Sequence, residues 1–290
     1  MFERKVPRYT SYPTAAHFNT GIASGHFDAW TRTLPSDAEI EVYLHIPFCA
    51  QICWFCACRT QGMGSGQGVA AYLEALEAEI IRTGRMLPEG VRVTRVSLGG
   101  GSPSVLKPAQ IAALGSALET HLPMASDRVL SVEIDPRHTA TETLDALGAL
   151  GMSRATFGVM DFDPDVQRAT GRRQSRGSTA ACVAALRQRG VTSVGIDVIY
   201  GLPRQTVTTV AETIETVLDL APDRIALTGY AHVPWMAKRQ RMIPEASLPS
   251  TADRLAQFRY GRIQIDRAGY VTVGIDHFAR PSDSLAQAAL

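Results

Sequence analysis

The pattern of hydrophobic and polar positions alternates between short apolar runs and longer stretches with apolar residues three or four positions apart. The short runs predict β-strands, and the longer stretches predict α-helices, as where Leu73, Leu76 and Ile80 share one helical face. Strands are predicted over residues 41–46, 93–98, 128–134, 155–159, 194–199 and 224–230. Helices are predicted over residues 69–87, 108–122, 141–150, 178–189, 207–220 and 252–268.

Six consecutive strand–helix units predict an α/β fold with a parallel sheet, because crossovers between parallel strands are right-handed and use helices. A partial (β/α)6 barrel is the expected architecture, and a doubly wound open sheet is the alternative. We expect this domain to span residues 39–290, after an N-terminal arm or lid over residues 1–38. Residues 26–33 suit a short helix in that arm, residues 62–68 a glycine-rich loop, and residues 270–275 a seventh strand.

Composition and charge exclude some classes of partner and location for this protein. The chain has 290 residues, is 45% hydrophobic and carries a net charge of +1, which argues against nucleic acid as a partner. It contains no apolar run of 18 residues and no apolar stretch after its first charged residues, so we expect neither a membrane span nor a signal peptide. Clustered thiols need a reducing compartment, which predicts the cytoplasm.

The candidate chemistry lies in one cysteine-rich loop. Cys49, Cys53 and Cys56 follow the spacing C-x3-C-x2-C, and Cys58 comes two residues later. Three thiolates on a short loop suit three irons of a four-iron, four-sulfur cluster and leave the fourth iron open to a small chelating molecule. That is the physical logic of the radical S-adenosylmethionine (SAM) enzymes, whose signature this loop resembles, including Phe55 before the third cysteine.

Two other readings of the cysteines remain. Structural zinc sites use C-x2-C pairs with a second pair or histidines farther away, and no second pair follows here. A disulfide framework does not fit one tight cluster in a chain of this size. The fifth cysteine, Cys182, falls in a helical pattern and is predicted to be a buried apolar residue.

Further polar or glycine-rich segments come directly after predicted strands, where ligands bind in both architectures. The run Gly99-Gly100-Gly101-Ser102-Pro103 is typical of a turn or of close backbone approach to a ligand. The remaining groups suit caps, ion pairs and solvated loops as well as ligand contacts; they are Glu133, Asp135, Asp197, Arg172 and the basic run Lys238-Arg239-Gln240-Arg241.

From Pro7 to the end, the chain resembles the oxygen-independent coproporphyrinogen III oxidases, a radical SAM family of haem biosynthesis. The resemblance rests on these segments: Arg8 to Thr14, the cysteine loop with Cys58, Gly99 to Pro103, Ser131 to Pro136, Phe157 to Val159, Ile196 to Thr206, Tyr230 to His232 and Asp276 to Pro281.

The resemblance implies a partial barrel of the radical SAM type, with a [4Fe-4S] cluster on Cys49, Cys53 and Cys56. It implies that Cys58 is not a ligand and that SAM is bound by Tyr43, Phe55, Gly100, Gly101, Ser102, Glu133, Arg172, Asp197 and Ala231.

It also implies the reaction. A 5′-deoxyadenosyl radical removes a hydrogen atom from each of two propionate β-carbons of coproporphyrinogen III, carbon dioxide leaves, and vinyl groups form, giving protoporphyrinogen IX. An electron donor and an electron acceptor are needed, and a monomer is expected. Arg8 and residues 238–241 are candidates to hold the substrate carboxylates. No catalytic residue is assigned.

The chain departs from the family at three points. Met160 stands where relatives have a glutamine in the SAM pocket, and Arg59 where they have an asparagine. Relatives also continue beyond the position of Leu290 into a helical C-terminal domain, which we expect to be absent here. A haem or porphyrin carrier, with His232, His277 and Met160 as candidate ligands, and an inactive truncated paralogue are therefore alternatives to the enzyme.

Overall fold

The computed structural model describes residues 17–64 and 66–289. In chain order the elements are α1 (Ser24–Arg32), β1 (Glu39–Ile46), β2 (Phe48–Cys49), β3 (Gln61–Gly62), α2 (Gln67–Gly84), β4 (Arg92–Gly100), α3 (Pro108–His121), β5 (Met124–Glu133), α4 (Thr141–Ala149), β6 (Met152–Met160), α5 (Pro164–Thr170), α6 (Arg176–Gln188), β7 (Ser193–Tyr200), α7 (Val207–Asp219), β8 (Arg224–Gly229), α8 (Thr251–Arg267), β9 (Val271–Val273), β10 (His277–Ala279) and α9 (Ser284–Gln287).

The main sheet of the described residues has eight strands in the order β1-β4-β5-β6-β7-β8-β10-β9. The first six strands, β1 to β8 in that order, form five parallel pairings and follow one another in chain order. A doubly wound sheet reverses its strand order at a switch point, whereas this order runs in one direction. The winding is therefore that of a partial (β/α)6 barrel, as predicted, and the doubly wound alternative is wrong.

The core lies between the parallel strands and the helices that connect them. Strand β7 is buried on both faces along its first half: Val194, Ile196 and Val198 on one face have no exposed surface, and Ser193 and Gly195 on the other are also buried. Parallel strands are covered on both faces and so lose the alternation of exposed strands. The helices are amphipathic by contrast, and α7 buries Val210, Ile214 and Val217 at helical spacing.

The last part of the sheet differs from the parallel units. Strand β9 falls within predicted residues 270–275, but β10, which was not predicted, separates it from β8, and both new pairings are antiparallel. The predicted short helix in the arm is α1, while the rest of the arm up to residue 16 lies outside the described residues. No helix among the described residues is long and apolar enough to span a bilayer.

Candidate active site

The parallel strands end around a cavity of about 370 Å³, large enough for a small-molecule cofactor. The cysteine loop, which follows β1, forms one wall. Of the residues singled out in the sequence, the cavity is lined by Cys49, Cys53, Phe55, Cys56, Cys58, Gly100, Gly101, Ser102, Glu133, Asp135, Met160, Arg172, Asp197, Ala231 and Arg239.

The glycine run packs against the start of the cysteine loop. The Gly101 N–H donates to the Ile46 carbonyl and the Ser102 N–H to the Phe48 carbonyl, both at 2.8 Å. A Cβ on Gly101 would come within 2.5 Å of the Phe48 carbonyl oxygen. Glycine is required here because the two backbones touch, so the run fixes the position of the cysteine loop directly before Cys49.

The other end of the cysteine loop is held by the segment after β8. Arg239 donates to the Thr60 side chain at 2.8 Å and to the Thr60 carbonyl at 2.7 Å. Gln240, which is fully buried, donates to the Phe55 carbonyl at 2.7 Å. A basic run that reads as a solvated loop therefore contributes two residues to the scaffold of the cysteine loop, while Lys238 and Arg241 are exposed.

Helix α5 supports the middle of the loop, and sequence periodicity missed it because it has seven residues. Asp163 caps its start, and Gly171 ends it with φ of 67°. Gly171 lies against the Trp54 ring, where an added Cβ would be 2.8 Å from the indole. Arg172 follows directly, and the turn carries its guanidinium into the cavity wall beside Cys53. Capping aspartate, proline at the first turn and terminal glycine were the signals that marked this helix.

Two of the candidate ligands, Cys49 and Cys56, differ in electrostatic surroundings. Burial raises the pKa of Cys49 to about 11. A hydrogen bond from the Cys58 thiol, assisted by the charge of Arg239, lowers the pKa of Cys56 to about 6. The same bond raises the pKa of Cys58. Cys58 thus supports a thiolate at Cys56, the form that binds iron.

Two carboxyl groups line the cavity from β5 and β7, the two strands on either side of β6. Burial raises the pKa of Glu133 against the opposing effect of the Gly100 N–H, which donates to it at 3.1 Å. Burial and the charge of Glu133 together raise the pKa of Asp197 to about 7. Such groups accept hydrogen bonds from ammonium and ribose hydroxyl groups, so both suit a polar cofactor.

Arg172 contributes a free donor. Its Nη2 bonds the Gln174 side chain at 2.9 Å and its Nη1 lies 3.4 Å from Cys53 Sγ, but its buried Nε has no partner among the described residues. Buried polar groups without partners are rare. Arg172 also lines the cavity, so its guanidinium is placed to meet a carboxylate there.

Asp135 is engaged within the protein instead. Burial acts to raise its pKa, but hydrogen bonds from Arg137 and the charge of Arg172 hold that pKa below its usual value. The Arg137 guanidinium binds both Asp135 oxygens, at 2.9 and 2.7 Å. Asp135 therefore holds an arginine in place and is poorly available to a cofactor.

Two further candidates are placed differently from the rest. Tyr43 lies outside the cavity lining, 55% exposed, with its hydroxyl 3.2 Å from His45 Nδ1. Met160 lies in the lining and has φ of 66°, a left-handed conformation that is uncommon for a long side chain. Arg8 lies outside the described residues.

The residues present fit a cluster and SAM. Three cysteines and two carboxyl groups line the cavity, and so does Arg172, whose buried Nε has no partner among the described residues. Among residues 17–64 and 66–289, no three His, Cys, Asp or Glu side chains converge as single-ion ligands. A four-iron cluster does not need that convergence, because each thiolate binds a different iron.

The chain belongs to the radical SAM superfamily, whose family model matches residues 43–217. Membership implies a [4Fe-4S] cluster and SAM as cofactors. Among curated proteins, the chain is 46% identical over 288 residues to the oxygen-independent coproporphyrinogen III oxidase of Paracoccus denitrificans and 40% identical over 292 residues to that of Pseudomonas aeruginosa. These alignments cover 99% of this chain and 64% and 63% of the relatives, so the chain spans less than two thirds of their length.

Among solved structures, the fold matches coproporphyrinogen III oxidase (HemN) from Escherichia coli with a TM-score of 0.91 and 38% identity, over 97% of this chain and 64% of that one. Streptococcus suis SuiB bound to S-adenosylmethionine matches over 80% of this chain and 48% of that one, with a TM-score of 0.51 and 15% identity, which shows the fold alone.

Sequence reasoning missed Arg137 and Thr60 and expected substrate contacts, not a scaffold role, for residues 238–241. Contacts such as Arg137 with Cys53, Thr60 with Arg239 and Gln240 with Phe55 join segments far apart in the chain, which periodicity does not report. Only Arg137 had a local signal in the sequence, because it is a charged residue in the loop that follows β5.

Proposed function

We propose that this chain carries the radical SAM core of an oxidoreductase that converts two propionate side chains of coproporphyrinogen III to vinyl groups, giving protoporphyrinogen IX in haem biosynthesis. The observation that carries the proposal is the cavity that joins Cys49, Cys53 and Cys56 to Glu133, Asp197 and Arg172. The names of the aligned relatives support this substrate over a carrier role.

In this proposal the cluster and SAM supply the one-electron chemistry when bound. Cys49, Cys53 and Cys56 would hold three irons, and the Arg172 guanidinium would contact the SAM carboxylate. Phe55, Gly100, Gly101, Ser102, Glu133, Asp197 and Ala231 line the SAM pocket. Tyr43 joins them only if its side chain turns inward from its exposed position.

Each half of the reaction balances without a proton donor from the protein. Bound SAM would take one electron from the cluster, break its bond between sulfur and the 5′ carbon to release methionine, and take one hydrogen atom from the propionate β-carbon. The substrate would then release carbon dioxide and pass one electron to an acceptor. The chain's own task is to orient the substrate and exclude water. The exposed Lys238 and Arg241 near the cavity, together with Arg8, are the proposed contacts for the other substrate carboxylates.

The test is anaerobic reconstitution with iron and sulfide, followed by addition of SAM, a reductant and coproporphyrinogen III. The assay is kept under reducing conditions, like those of the cytoplasm, where we propose that the protein works. Formation of 5′-deoxyadenosine together with vinyl products is expected. Deoxyadenosine without vinyl products would reject the substrate and keep the enzyme class. Tight haem binding without SAM cleavage would favour the carrier, with His232, His277 and Met160 as the ligands to test.

A further inference from the structure

Two guanidinium groups converge on one of the three cysteines. Arg172 Nη1 lies 3.4 Å from Cys53 Sγ, and Arg137 Nη2 lies 3.8 Å from the same sulfur. Cys53 is itself buried, so this sulfur meets two N–H donors in surroundings with little water. Hydrogen bonds to cluster sulfurs and local charge are among the factors that set the reduction potential of an iron–sulfur cluster.

Arg137 is built to stay in this position. Its side chain is 5% exposed, and its partner Asp135 is 7% exposed. The bidentate pair uses Nε and Nη2, which fixes the plane of the guanidinium. Arg137 lines the cavity, but Asp135 takes its Nε and Nη2 and Gln51 lies 3.4 Å from its Nη1, so its donors are engaged within the protein. Its position beside Cys53 therefore calls for a role other than direct contact with SAM.

The charges near Cys53 do not cancel. Arg137 is paired with Asp135, and Arg172 Nη2 lies 3.8 Å from Oδ1 of the same carboxylate. One carboxylate therefore faces two guanidinium groups. Reduction adds one negative charge to a cluster that already carries three thiolates. Positive charge and N–H donors stabilise that added electron more than they stabilise the oxidised state.

We propose that Arg137 is a positioning residue that raises the reduction potential of the cluster through Cys53 and so keeps the reduced state within reach of the physiological electron donor. The inference rests on the cluster that superfamily membership implies. It does not depend on the identity of the substrate, and it is tested without substrate.

The experiment is a redox titration of the reconstituted protein, followed by electron paramagnetic resonance without SAM or substrate. Arg137→Gln is compared with Arg173→Gln, which removes the same charge from an exposed neighbour of Arg172. We expect Arg137→Gln to lower the equilibrium constant for reduction about tenfold, which corresponds to about 59 mV for one electron. Arg173→Gln should change it less than about twofold, because exposed charges are screened. Equal effects of the two variants, or none from Arg137→Gln, would overturn the proposal.

Arg137→Gln leaves Asp135 without its bidentate partner, so a second variant guards against misfolding. Asp135→Asn combined with Arg137→Gln removes the pair without leaving a buried charge. If iron content stays at the wild-type level, a lowered potential in the double variant supports a role for the N–H donor itself. A wild-type potential in the double variant would overturn that role. Absence of vinyl products from the wild-type protein would count against the proposed function and leave this inference standing, because the potential is measured without substrate. An unchanged potential in Arg137→Gln would overturn this inference whatever the products are.

Discussion

The side chain of Gln240 donates to the main-chain carbonyl of Phe55 at 2.7 Å, across 185 positions of the chain. The same amide donates to the Ala231 carbonyl at 3.1 Å and accepts from the Val233 N–H at 2.6 Å. One buried residue thus connects the wall that carries the cysteines to the wall formed after β8. The cavity keeps its shape because these two distant segments share hydrogen bonds.

Gln240→Leu should therefore destabilise the protein and weaken cluster binding. Two carbonyls and one N–H would lose their partner in a buried place, and each unsatisfied group costs about 1–3 kcal/mol. Urea unfolding and iron content per chain measure the two effects. Gln188→Leu, on the exposed end of α6, is the matched control and should change neither. A Gln240 variant that behaves like the control would show that the link is dispensable.

The five cysteines should separate into three groups when each is replaced by serine. Serine at Cys49, Cys53 or Cys56 should abolish most iron binding, because a thiolate ligand is lost. The Cys58 variant should keep its iron, since Cys58 acts through its hydrogen bond to Cys56. The Cys182 variant should keep its iron but lose about 1–3 kcal/mol of stability, because a hydroxyl replaces a buried thiol. Full iron in any of the first three variants would reassign the ligands.

Met160→Gln should strengthen SAM binding. Methionine offers no amide to the cavity, whereas glutamine supplies one donor and one acceptor at the position where similar sequences carry it. A gain of about 0.5–1.5 kcal/mol, or a several-fold lower Kd, is expected in calorimetric titration of the cluster-loaded protein. Met236→Gln, on a side chain that is 78% exposed, is the control. An unchanged or higher Kd for Met160→Gln would mean that this position does not contact SAM.

The raised pKa of Asp197, at about 7, predicts a dependence of stability on pH. In the unfolded chain this carboxyl titrates near 3.9. Between these two values the folded protein binds the proton that the unfolded chain has lost, so stability falls as pH rises from about 4 to about 7.

Asp197→Asn should remove this loss. Relative to wild type, the variant should gain stability between pH 5 and pH 8 by about 2–3 kcal/mol at most, measured by urea unfolding of the cluster-free protein under reducing conditions. Asp37→Asn, at an exposed position, should show no such gain. A wild-type pH profile in Asp197→Asn would show that its carboxyl is ionised throughout.

The six parallel strands were predictable from the sequence because short apolar runs between amphipathic helices are typical of a sheet that is covered on both faces. It did not predict α5 or β10, which are too short for a period to develop. The candidate cysteine ligands were predictable from spacing, since they lie in one loop. The contacts of Arg137, Arg239 and Gln240 were not, because only the folded chain brings their partners together.

The central claim is that Cys49, Cys53 and Cys56 hold a cluster with one iron open to SAM. The most direct measurement is electron paramagnetic resonance of the anaerobically reconstituted, reduced protein before and after SAM is added. We expect a four-iron cluster whose signal changes when SAM is added. We expect no such change in a variant that lacks the Arg172 side chain. A bound zinc ion, or a cluster whose signal is the same with and without SAM, would contradict it.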